Sequence, residues 1–297
     1  MDLRQMRYFL AIAREGNFTR AAARIHVSQP ALSKQVQDLE EETGTPLFYR
    51  RSHGVELTAA GRLMLKRASD IVELVRKTEE EFNSLSDSEQ GDIYIGIGEA
   101  ETNRGIFRCM KRLRERHPRF RFHLSTGNSE ELLGRMDRGL LDFAVGFVMP
   151  DPAKYDSIEL GGREPWGVLM REEDALASKA SVTRDDLRDL PLILSREGFR
   201  DDYPKWFGKK LASLTVVADL DLAYGAKQMV EEGLGYLVTF DRLFETGGTT
   251  GLVFRPLDPP LVCRSYLIWP KSEMFSAAAG LFLEACREAA GPETREA

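Results

Sequence analysis

The stretch that decides the fold is residues 18–40, FTRAAARIHVSQPALSKQVQDLE. Asn17, directly before it, is a residue type that caps helices, and so is Ser28 in its middle. Pro30 follows Ser28 within one helical turn, where the missing N–H of proline costs nothing. The pattern therefore predicts two short helices joined by a turn of three or four residues.

Each of these two helices has an apolar face with the spacing of an α-helix. The positions expected to be buried are Phe18, Ala21, Ala22 and Ile25 in the first helix and Leu32, Val36 and Leu39 in the second. A different face of the second helix carries Gln29, Ser33 and Gln37, with Pro30 and Lys34 beside them. Small polar and basic side chains on that outer face are typical of a helix-turn-helix.

The flanking sequence extends this unit at both ends. Residues 3–15 have apolar side chains at helical spacing and are followed by Gly16, which predicts a helix that ends there. Residues 46–58 are interpreted as two short strands around a basic turn, the arrangement of a wing. Residues 1–58 are therefore expected to form a winged helix-turn-helix domain.

The next segment, residues 59–88, is expected to be a linker and dimerisation helix that Thr58 caps. Its apolar stripe alternates steps of four and three residues, and a stripe with this seven-residue repeat must be buried against something. Contact with a second chain is expected through Met64, Ala68, Ile71, Val75 and Phe82. The alternative is packing against the chain's own N-terminal domain, and both arrangements can hold together. A polar hinge is expected at residues 86–91.

From residue 91 to 297 the pattern changes to strands alternating with helices, which predicts βαβ units on a mostly parallel sheet. Strands are expected near residues 93–97, 120–124, 141–145, 167–170, 192–194, 216–218, 235–238 and 266–269, and helices over 103–117, 130–138 and 273–287. Lobe I would comprise residues 92–161 and 265–290, and lobe II residues 162–264. The expected fold class is α/β: a winged helix-turn-helix, a long linker helix and a two-lobed α/β sensor domain like that of periplasmic binding proteins.

The charge is distributed unevenly along the chain. The 297 residues have a formal net charge of −6, which on its own argues weakly against a nucleic-acid partner. Residues 1–67, however, contain eleven Lys and Arg against seven Asp and Glu, a charge of +4, so the other 230 residues carry −10. This division suggests an anion-binding head on an acidic body, because only the head needs attraction to phosphates.

The sequence contains no run of 18 apolar residues and no apolar N-terminal stretch. Neither a membrane span nor a secretion signal is therefore expected, and the protein is predicted to be cytoplasmic. The three cysteines have neither the number of a disulfide framework nor the spacing of a zinc site. Cys109, Cys263 and Cys286 are expected to be buried thiols, with a redox switch as the alternative.

The run from Phe18 to Glu40, followed by PLF at residues 46–48, Arg50 and LTAAG at residues 57–61, closely resembles the winged helix-turn-helix of LysR-type transcriptional regulators. The βα lobes after a long helix are also similar to that family, though more weakly beyond residue 90. Thr43 departs from the leucine usual before the glycine. The resemblance implies a bacterial regulator that binds promoter DNA as a homodimer or homotetramer, senses a small molecule and can contact RNA polymerase.

The residues expected to bind DNA are Gln29, Pro30, Ser33, Lys34, Gln37, Arg50, Arg51 and His53. Those at the start of the second helix suit base edges in the major groove, since Gln can pair with adenine and proline can touch a thymine methyl group. The basic residues suit phosphates or the minor groove next to the wing. The alternative is a solvated basic face with no ligand.

In open βα sheets, ligands bind beyond the carboxyl ends of strands, where helix N-termini offer free N–H groups. This rule selects as effector-binding residues Glu99, Thr102, Thr126, Gly127, Asn128, Ser129, Phe147, Ser195, Arg196 and Thr239, positions that resemble the pocket walls of LysR-type sensor domains. Each could instead be a simple helix cap. The polar run at residues 99–103 would repel a carboxylate effector unless Arg196 or Arg104 compensates, which favours a neutral or cationic ligand.

Two other classes of protein fit less well. An enzyme needs a catalytic constellation, and His26, His53, His117 and His123 have no spacing that supports one. The nucleophile-elbow, zinc-protease and dinucleotide motifs are missing as well, so no catalysis, metal or cofactor is expected. A solute-binding protein would explain the two lobes but would leave the basic head and the heptad helix without a role.

Overall fold

The computed structural model describes residues 1–51, 54–85, 90–271 and 274–290. The chain forms two compact units, Met1–Phe82 and Asn83–Ala297. The helix predicted as a linker therefore belongs to the N-terminal unit over nearly its whole length. The predicted hinge at residues 86–91 lies largely outside the described residues, as do Ser52 and His53 in the turn of the wing.

The N-terminal unit contains four helices and a two-stranded antiparallel sheet among its described residues: α1 (Leu3–Glu15), α2 (Phe18–Arg24), α3 (Gln29–Thr43), β1 (Phe48–Arg51), β2 (Gly54–Leu57) and α4 (Ala59–Leu85). The predicted caps are confirmed. The Asn17 side chain accepts hydrogen bonds from Thr19 N and Arg20 N, at 2.9 and 3.0 Å, and Ser28 Oγ accepts one from Ala31 N at 3.4 Å. Gly16 ends α1 in the left-handed conformation, at φ 61°.

One apolar core joins the helix-turn-helix, the wing and the first turns of α4. The fully buried side chains in it include Phe9, Ile12, Leu32, Leu39 and Ala68. The wing is tied to this core by a backbone hydrogen bond from Val55 N to Gly16 O at 2.9 Å. The three apolar positions of α3 therefore lie inward, and its polar face is held outward.

The apolar stripe of α4 divides between two environments. Ala68 has no exposed surface, and Met64 packs against the same core, so this end of the stripe packs on the chain's own head. The prediction that Ala68 contacts a partner chain is wrong, because its methyl group is enclosed by that core. Ile71 and Phe82 are 38% and 69% exposed, so part of their apolar surface is left uncovered by the residues that the structure describes.

The C-terminal unit alternates strands and helices in the following order: β3 (Gln90–Ile97), α5 (Asn103–Arg116), β4 (Arg119–Thr126), α6 (Ser129–Met136), β5 (Phe143–Gly146), β6 (Tyr155–Arg171), β7 (Val182–Thr183), β8 (Leu192–Ser195), α7 (Asp202–Phe207), β9 (Val216–Leu220), α8 (Tyr224–Glu231), β10 (Tyr236–Phe240), β11 (Leu252–Asp258), β12 (Val262–Pro270) and α9 (Ala277–Ala290). Short 3-10 segments lie at Ala175–Ser178, Glu197–Phe199 and Gly208–Ser213.

The strands form a mixed sheet in the order β4-β3-β5-β12-β6-β10-β8-β9, with β11 on β6. Parallel pairs lie on both sides, β3 with β4 and β5 in lobe I, and β8 with β9 and β10 in lobe II. The long strands β6 and β12 pair antiparallel, from Tyr155 opposite Pro270 to Pro165 opposite Val262, and are shared by both lobes. The expectation of a mostly parallel sheet is therefore corrected.

Several predicted boundaries also change. The strand expected at residues 167–170 is the end of the 17-residue β6, and the last helix starts at Ala277 rather than 273. Helices α7 and α8 and strand β11 were not predicted. Each lobe has its own core, centred on Phe143 and Phe282 in lobe I and on Trp166 and Tyr203 in lobe II.

Within the described ranges, no helix combines the length and the apolar character that crossing a membrane would require.

Gly91 and Gly280 test how β3 packs against α9. A methyl group on Gly91 would overlap with the side chain of Ala278, whereas one on Gly280 meets no atom within 4 Å. We expect Gly91→Ala to lower the free energy of unfolding of the C-terminal unit by roughly 1–3 kcal/mol. The matched Gly280→Ala should raise it by about 0.5–1 kcal/mol through helix propensity. Urea unfolding measures both, and equal effects of the two variants would contradict this packing.

Candidate nucleic-acid interface and ligand cavity

The outer face of α3 presents the side chains predicted to read bases. Gln29, Pro30, Lys34 and Gln37 are exposed and Ser33 is half-buried, while Leu32, Val36 and Leu39 behind them are 0–1% exposed. Ser28 caps the N-terminus of α3 and so fixes where the exposed first turn of this helix begins. The structure thus brings the five predicted α3 residues onto one exposed surface.

Two of these side chains have partners along the helix. Lys34 Nζ lies 2.8 Å from Asp38 Oδ1, and Gln37 Nε2 donates to Glu41 Oε1 at 3.0 Å. The hydrogen bond and charge of Asp38 raise the pKa of Lys34. Lys34 is therefore a cation whose side chain is oriented by a neighbouring carboxylate before any ligand arrives.

The basic residues of the wing are also exposed. The Arg50 guanidinium lies 5.2 Å from the centre of the Phe18 ring, and Arg51 pairs with Glu56 at 3.2 Å. His53 lies outside the described residues. The wing therefore places one cation against α2 and another along its own second strand.

Glu40 positions the wing, a role that nothing in the sequence pattern indicates beyond its place near the end of α3. Its Oε1 accepts hydrogen bonds from Leu47 N at 2.6 Å and Phe48 N at 3.1 Å. A single carboxylate thus satisfies two backbone donors at the start of β1 and fixes the wing relative to α3.

In the C-terminal unit, a cavity of about 50 Å³ lies between the two lobes. Five of the predicted effector residues line it: Glu99, Gly127, Phe147, Ser195 and Thr239. They stand at or just beyond the carboxyl ends of β3, β4, β5, β8 and within β10, as the rule for open sheets requires. The cavity also contains aromatic and acidic residues that sequence analysis did not select, among them Trp166, Glu197, Asp202 and Phe240.

The other five predicted residues lie elsewhere. Asn128, Ser129 and Arg196 line an adjoining cleft of about 190 Å³, which shares Glu197 and Asp221 with the cavity. Thr102 lines a separate cleft of about 450 Å³, and its backbone N–H donates to Glu164 at 2.6 Å. Thr126 is exposed at the end of β4 and lines none of these spaces. Thr102 and Thr126 therefore do not line the interlobe cavity.

Polar contacts cross between the lobes around the cavity. Asn128 Nδ2 donates to Asp221 Oδ1 at 3.0 Å, and Ser129 Oγ donates to the Glu197 carboxylate. The Glu99 carboxylate accepts from Ala223 N, and Glu130 pairs with Arg200. These interlobe contacts hold the described arrangement of the lobes together.

Of the two arginines named as possible compensation for the acidic run at residues 99–103, Arg104 pairs with an acid of that run and Arg196 does not. Arg196 pairs with Asp219 and, at 2.8 Å, with Asp221, and Arg104 pairs with Glu101. No Lys, Arg or His occurs among the described residues that line the cavity. Its electrostatics are therefore set by carboxyl groups and aromatic rings.

Burial shifts the titration of the carboxyl groups in the cavity wall. Desolvation raises the pKa of Glu197 and that of Asp202, against hydrogen bonds that lower them. Asp202 Oδ2 lies 2.9 Å from the thiol of Cys263, whose pKa burial also raises. The segment that follows the predicted Ser195–Arg196 pair thus carries the two acids that sequence analysis missed.

The three cysteines are free and buried, as expected for structural thiols.

Two family models match the chain. Residues 3–62 match the bacterial regulatory helix-turn-helix protein of the lysR family, and residues 86–291 match the LysR substrate binding domain. Between them they cover the described head and both lobes.

Curated relatives match over most of the chain. The RuBisCO operon transcriptional regulator of Allochromatium vinosum is 29% identical over 290 residues, which is 96% of this chain and 95% of that protein. The HTH-type transcriptional regulator TfdT of Cupriavidus pinatubonensis is 32% identical over 213 residues, 68% of this chain and 89% of that protein.

Solved structures share the fold. The regulator CbnR has a TM-score of 0.76 at 21% identity, covering 98% of this chain and all of CbnR. Full-length CbnR in complex with its target DNA gives 0.74 at the same identity, over 97% of this chain. A full-length OxyR variant from Pseudomonas aeruginosa gives 0.56 at 24% identity, over 97% of this chain and all of that one.

Glu197 allows a test of the unfavourable electrostatics of the cavity. Because burial raises its pKa, the folded state binds the proton more tightly than the unfolded chain, and the free energy of unfolding falls as pH rises through that pKa. Glu197→Gln, which still accepts from Ser129, should therefore be more stable than the parent at neutral pH. Its advantage should shrink as the pH is lowered.

Thermal unfolding across pH measures the difference. The exposed Glu232→Gln serves as control and should change the free energy of unfolding by less than about 0.5 kcal/mol. A Glu197→Gln protein that is less stable than the parent at neutral pH would show that the carboxylate stabilises the cavity.

Proposed function

The chain belongs to the LysR family of bacterial transcriptional regulators, and from that premise we propose how its own residues carry out regulation. The N-terminal unit reads promoter DNA with α3 and the wing, and a small molecule bound between the lobes of the C-terminal unit controls the outcome. The observation that carries the proposal is the exposed polar face of α3 over a fully buried apolar face.

We assign base recognition to the start of α3. Gln29, Pro30 and Ser33 lie in its first two turns, the part of a recognition helix that contacts base edges in the major groove. Gln37, one turn further on, extends the same surface. Hydrogen bonds from amide and hydroxyl groups provide direction, and the proline ring provides an apolar contact for a thymine methyl group.

Phosphate contacts are assigned to Lys34, Arg50, Arg51 and His53. Arg50 and Arg51 are exposed on the wing, and Lys34 is 63% exposed on α3. The +4 charge of residues 1–67 supports this assignment, because neutralising phosphates releases counterions and supplies much of the affinity. Lys34 would exchange its contact with Asp38 for a phosphate oxygen.

We place effector binding in the interlobe cavity, lined by Glu99, Gly127, Phe147, Ser195 and Thr239, with Asn128, Ser129 and Arg196 at its edge. A ligand there binds one arrangement of the lobes better than another, because the walls come from both lobes. The interlobe contacts of Asn128, Ser129 and Glu99 are the interactions that such a ligand would reinforce or replace.

The relatives are transcriptional regulators, and we assign no catalytic reaction to this chain. We place it in the cytoplasm, where promoter DNA and RNA polymerase are available as partners. The proposed functional domains are residues 1–58 for DNA binding, 59–88 for dimerisation and 91–297 for effector binding.

Homodimerisation is assigned to α4. Its surface keeps large apolar side chains exposed at Leu63, Ile71, Leu74 and Phe82, by 60%, 38%, 40% and 69% respectively. Ile71 and Phe82 belong to the heptad stripe, Leu63 and Leu74 lie beside it, and a helix with such a stripe is suited to pairing with a second copy. Association of two dimers through the C-terminal units would give a tetramer that holds two sites on bent DNA.

Substitutions should distinguish residues that read bases from residues that contact phosphates. Gln29→Ala with Ser33→Ala should relax the preference for the operator over random duplex, with each lost base contact costing roughly 1–3 kcal/mol. Lys34→Ala should weaken binding to both duplexes alike and reduce the slope of log K against log salt by about one. Fluorescence anisotropy with a duplex from the gene's upstream region measures both.

The control for these variants is Ser69→Ala, an exposed change on α4 outside α3 and the wing, which should alter neither selectivity nor affinity. Unchanged selectivity of the double variant would move base reading away from the start of α3. Failure of the parent protein to bind any upstream duplex at low salt would overturn the proposed function itself.

The dimer should depend on the exposed part of the α4 stripe. Ile71→Lys should raise the dissociation constant of the dimer by roughly thirtyfold or more, the effect of losing an interface residue worth about 2 kcal/mol. Ser69→Lys places the same charge on an exposed position off the stripe and should leave the dimer intact. Size-exclusion chromatography with light scattering reports the mass, and a monomeric parent protein at micromolar concentration would contradict dimerisation.

A further inference from the structure

We propose that the interlobe cavity binds an organic ammonium compound, an inference that rests on the proposed function of this cavity as the effector site. The compound carries a positive charge for the carboxyl groups of the cavity and a small apolar body for its aromatic walls. At about 50 Å³, the cavity has room for roughly four water molecules, which limits the ligand to a small molecule.

Three carboxyl groups of the cavity form no salt bridge among the described residues, although the charge of Lys205, which pairs with Asp201, also lowers the pKa of Asp202. Glu99 accepts from the backbone N–H of Ala223, Glu197 from the hydroxyl of Ser129, and Asp202 from the thiol of Cys263. None of these donors carries a positive charge. All three residues are partly buried, and removing a carboxylate from water is costly unless it is paired, so a ligand cation would supply the missing partner.

The fourth carboxyl group of the cavity is different. Asp221 pairs with Arg196 at 2.8 Å and accepts from Asn128 at 3.0 Å. Its charge is already compensated at the edge of the cavity. The carboxyl groups without a salt bridge are therefore Glu99, Glu197 and Asp202.

The aromatic walls suit a cation as well. Phe240 stands between two other rings, with its centroid 5.1 Å from that of Phe147 and 4.4 Å from that of Trp166. The faces of aromatic rings attract ammonium groups, most strongly for Trp and when the cation is desolvated. The same rings provide the apolar surface that packs against the body of the ligand.

The indole N–H of Trp166 is a second polar group of the cavity wall that lacks a hydrogen-bond partner among the residues that the structure describes. Trp166 is 4% exposed, and its indole N–H makes no hydrogen bond of good geometry in the described part of the chain. It lies close enough to Asp202 and Cys263 to favour their charged forms without completing a bond to either. An unpaired buried donor costs about 1–3 kcal/mol. A neutral oxygen on the ligand would satisfy it, whereas a carboxylate would bring a further negative charge next to three others.

A bound metal ion fits this arrangement less well. Around this cavity, within the described ranges, no three ligand atoms from carboxylate, imidazole or thiol groups lie within 4.8 Å of one another. Divalent cations require such a compact set of oxygen ligands. The wider spacing of the carboxyl groups and the rings between them favour an organic cation.

The test uses the full-length protein and one small skeleton in three charge states: propylammonium, 1-propanol and propionate. A fourth probe, ethanolammonium, replaces the terminal methyl group of propylammonium by a hydroxyl group. Thermal shift and titration calorimetry should give the strongest binding for the two ammonium compounds, with ethanolammonium at or above propylammonium. 1-Propanol should bind more weakly and propionate not at all.

Asp202→Asn and Glu197→Gln keep the size of each side chain and remove its charge. Each should weaken ammonium binding by about tenfold or more, the effect of a lost charged hydrogen bond. Asp185→Asn is the matched control, because Asp185 is an exposed lobe II acid that pairs with Lys210 outside the cavity. It should leave ammonium binding unchanged. Unfolding temperatures without ligand verify that each variant is folded.

Tighter binding of propionate than of propylammonium, or no binding of either ammonium compound at millimolar concentration, overturns the inference. Equal ammonium affinity in the parent, Asp202→Asn and Glu197→Gln proteins overturns it too. Binding of the upstream duplex is measured on the same preparations. Intact DNA binding with failed ammonium binding rejects only the ligand class, whereas lost DNA binding in the parent rejects the proposed function.

Discussion

The antiparallel pairing of β6 with β12 is the constraint on which the C-terminal unit depends. These two strands run through both lobes and pair with β5 on one side and β10 on the other, so each lobe completes its sheet with part of the same two strands. A shift of register between Arg264 and Tyr266 interrupts their ladder near its middle. The opposing residues, 160–162, come shortly before Trp166 in β6, so a change of bend there would move a wall of the cavity.

In the N-terminal unit, three restraints keep the exposed polar face of α3 rigid. Burying Leu32, Val36 and Leu39 fixes the rotation of α3 about its axis, and the Ser28 cap fixes where it begins. Glu40 adds the third restraint by binding two backbone donors of the wing. DNA recognition benefits from this preorganisation, because ordering flexible side chains on binding costs entropy and lowers the affinity.

Local signals carried the predictions that succeeded, and tertiary contacts decided those that failed. Asn17 and Ser28 act within one turn, so their caps could be read from the sequence. The heptad stripe could not show that Ala68 is covered by the head while Ile71 is not, since both have the same periodicity. Strand β6 was predicted only over residues 167–170, whereas long-range pairing with β12 extends it back to Tyr155, through Gly161 and Gly162.

The cavity shows the same division. The rule for carboxyl ends of strands found Glu99, Phe147 and Ser195, whose positions follow from local order. Glu197 and Asp202 follow β8 in short segments with no clear periodicity, and their significance comes only from partial burial without a salt bridge. A protein that keeps such groups gives up stability at the site. A bound cation would remove this loss of stability by pairing with the carboxyl groups. The free energy released on pairing would then shift the equilibrium between lobe arrangements.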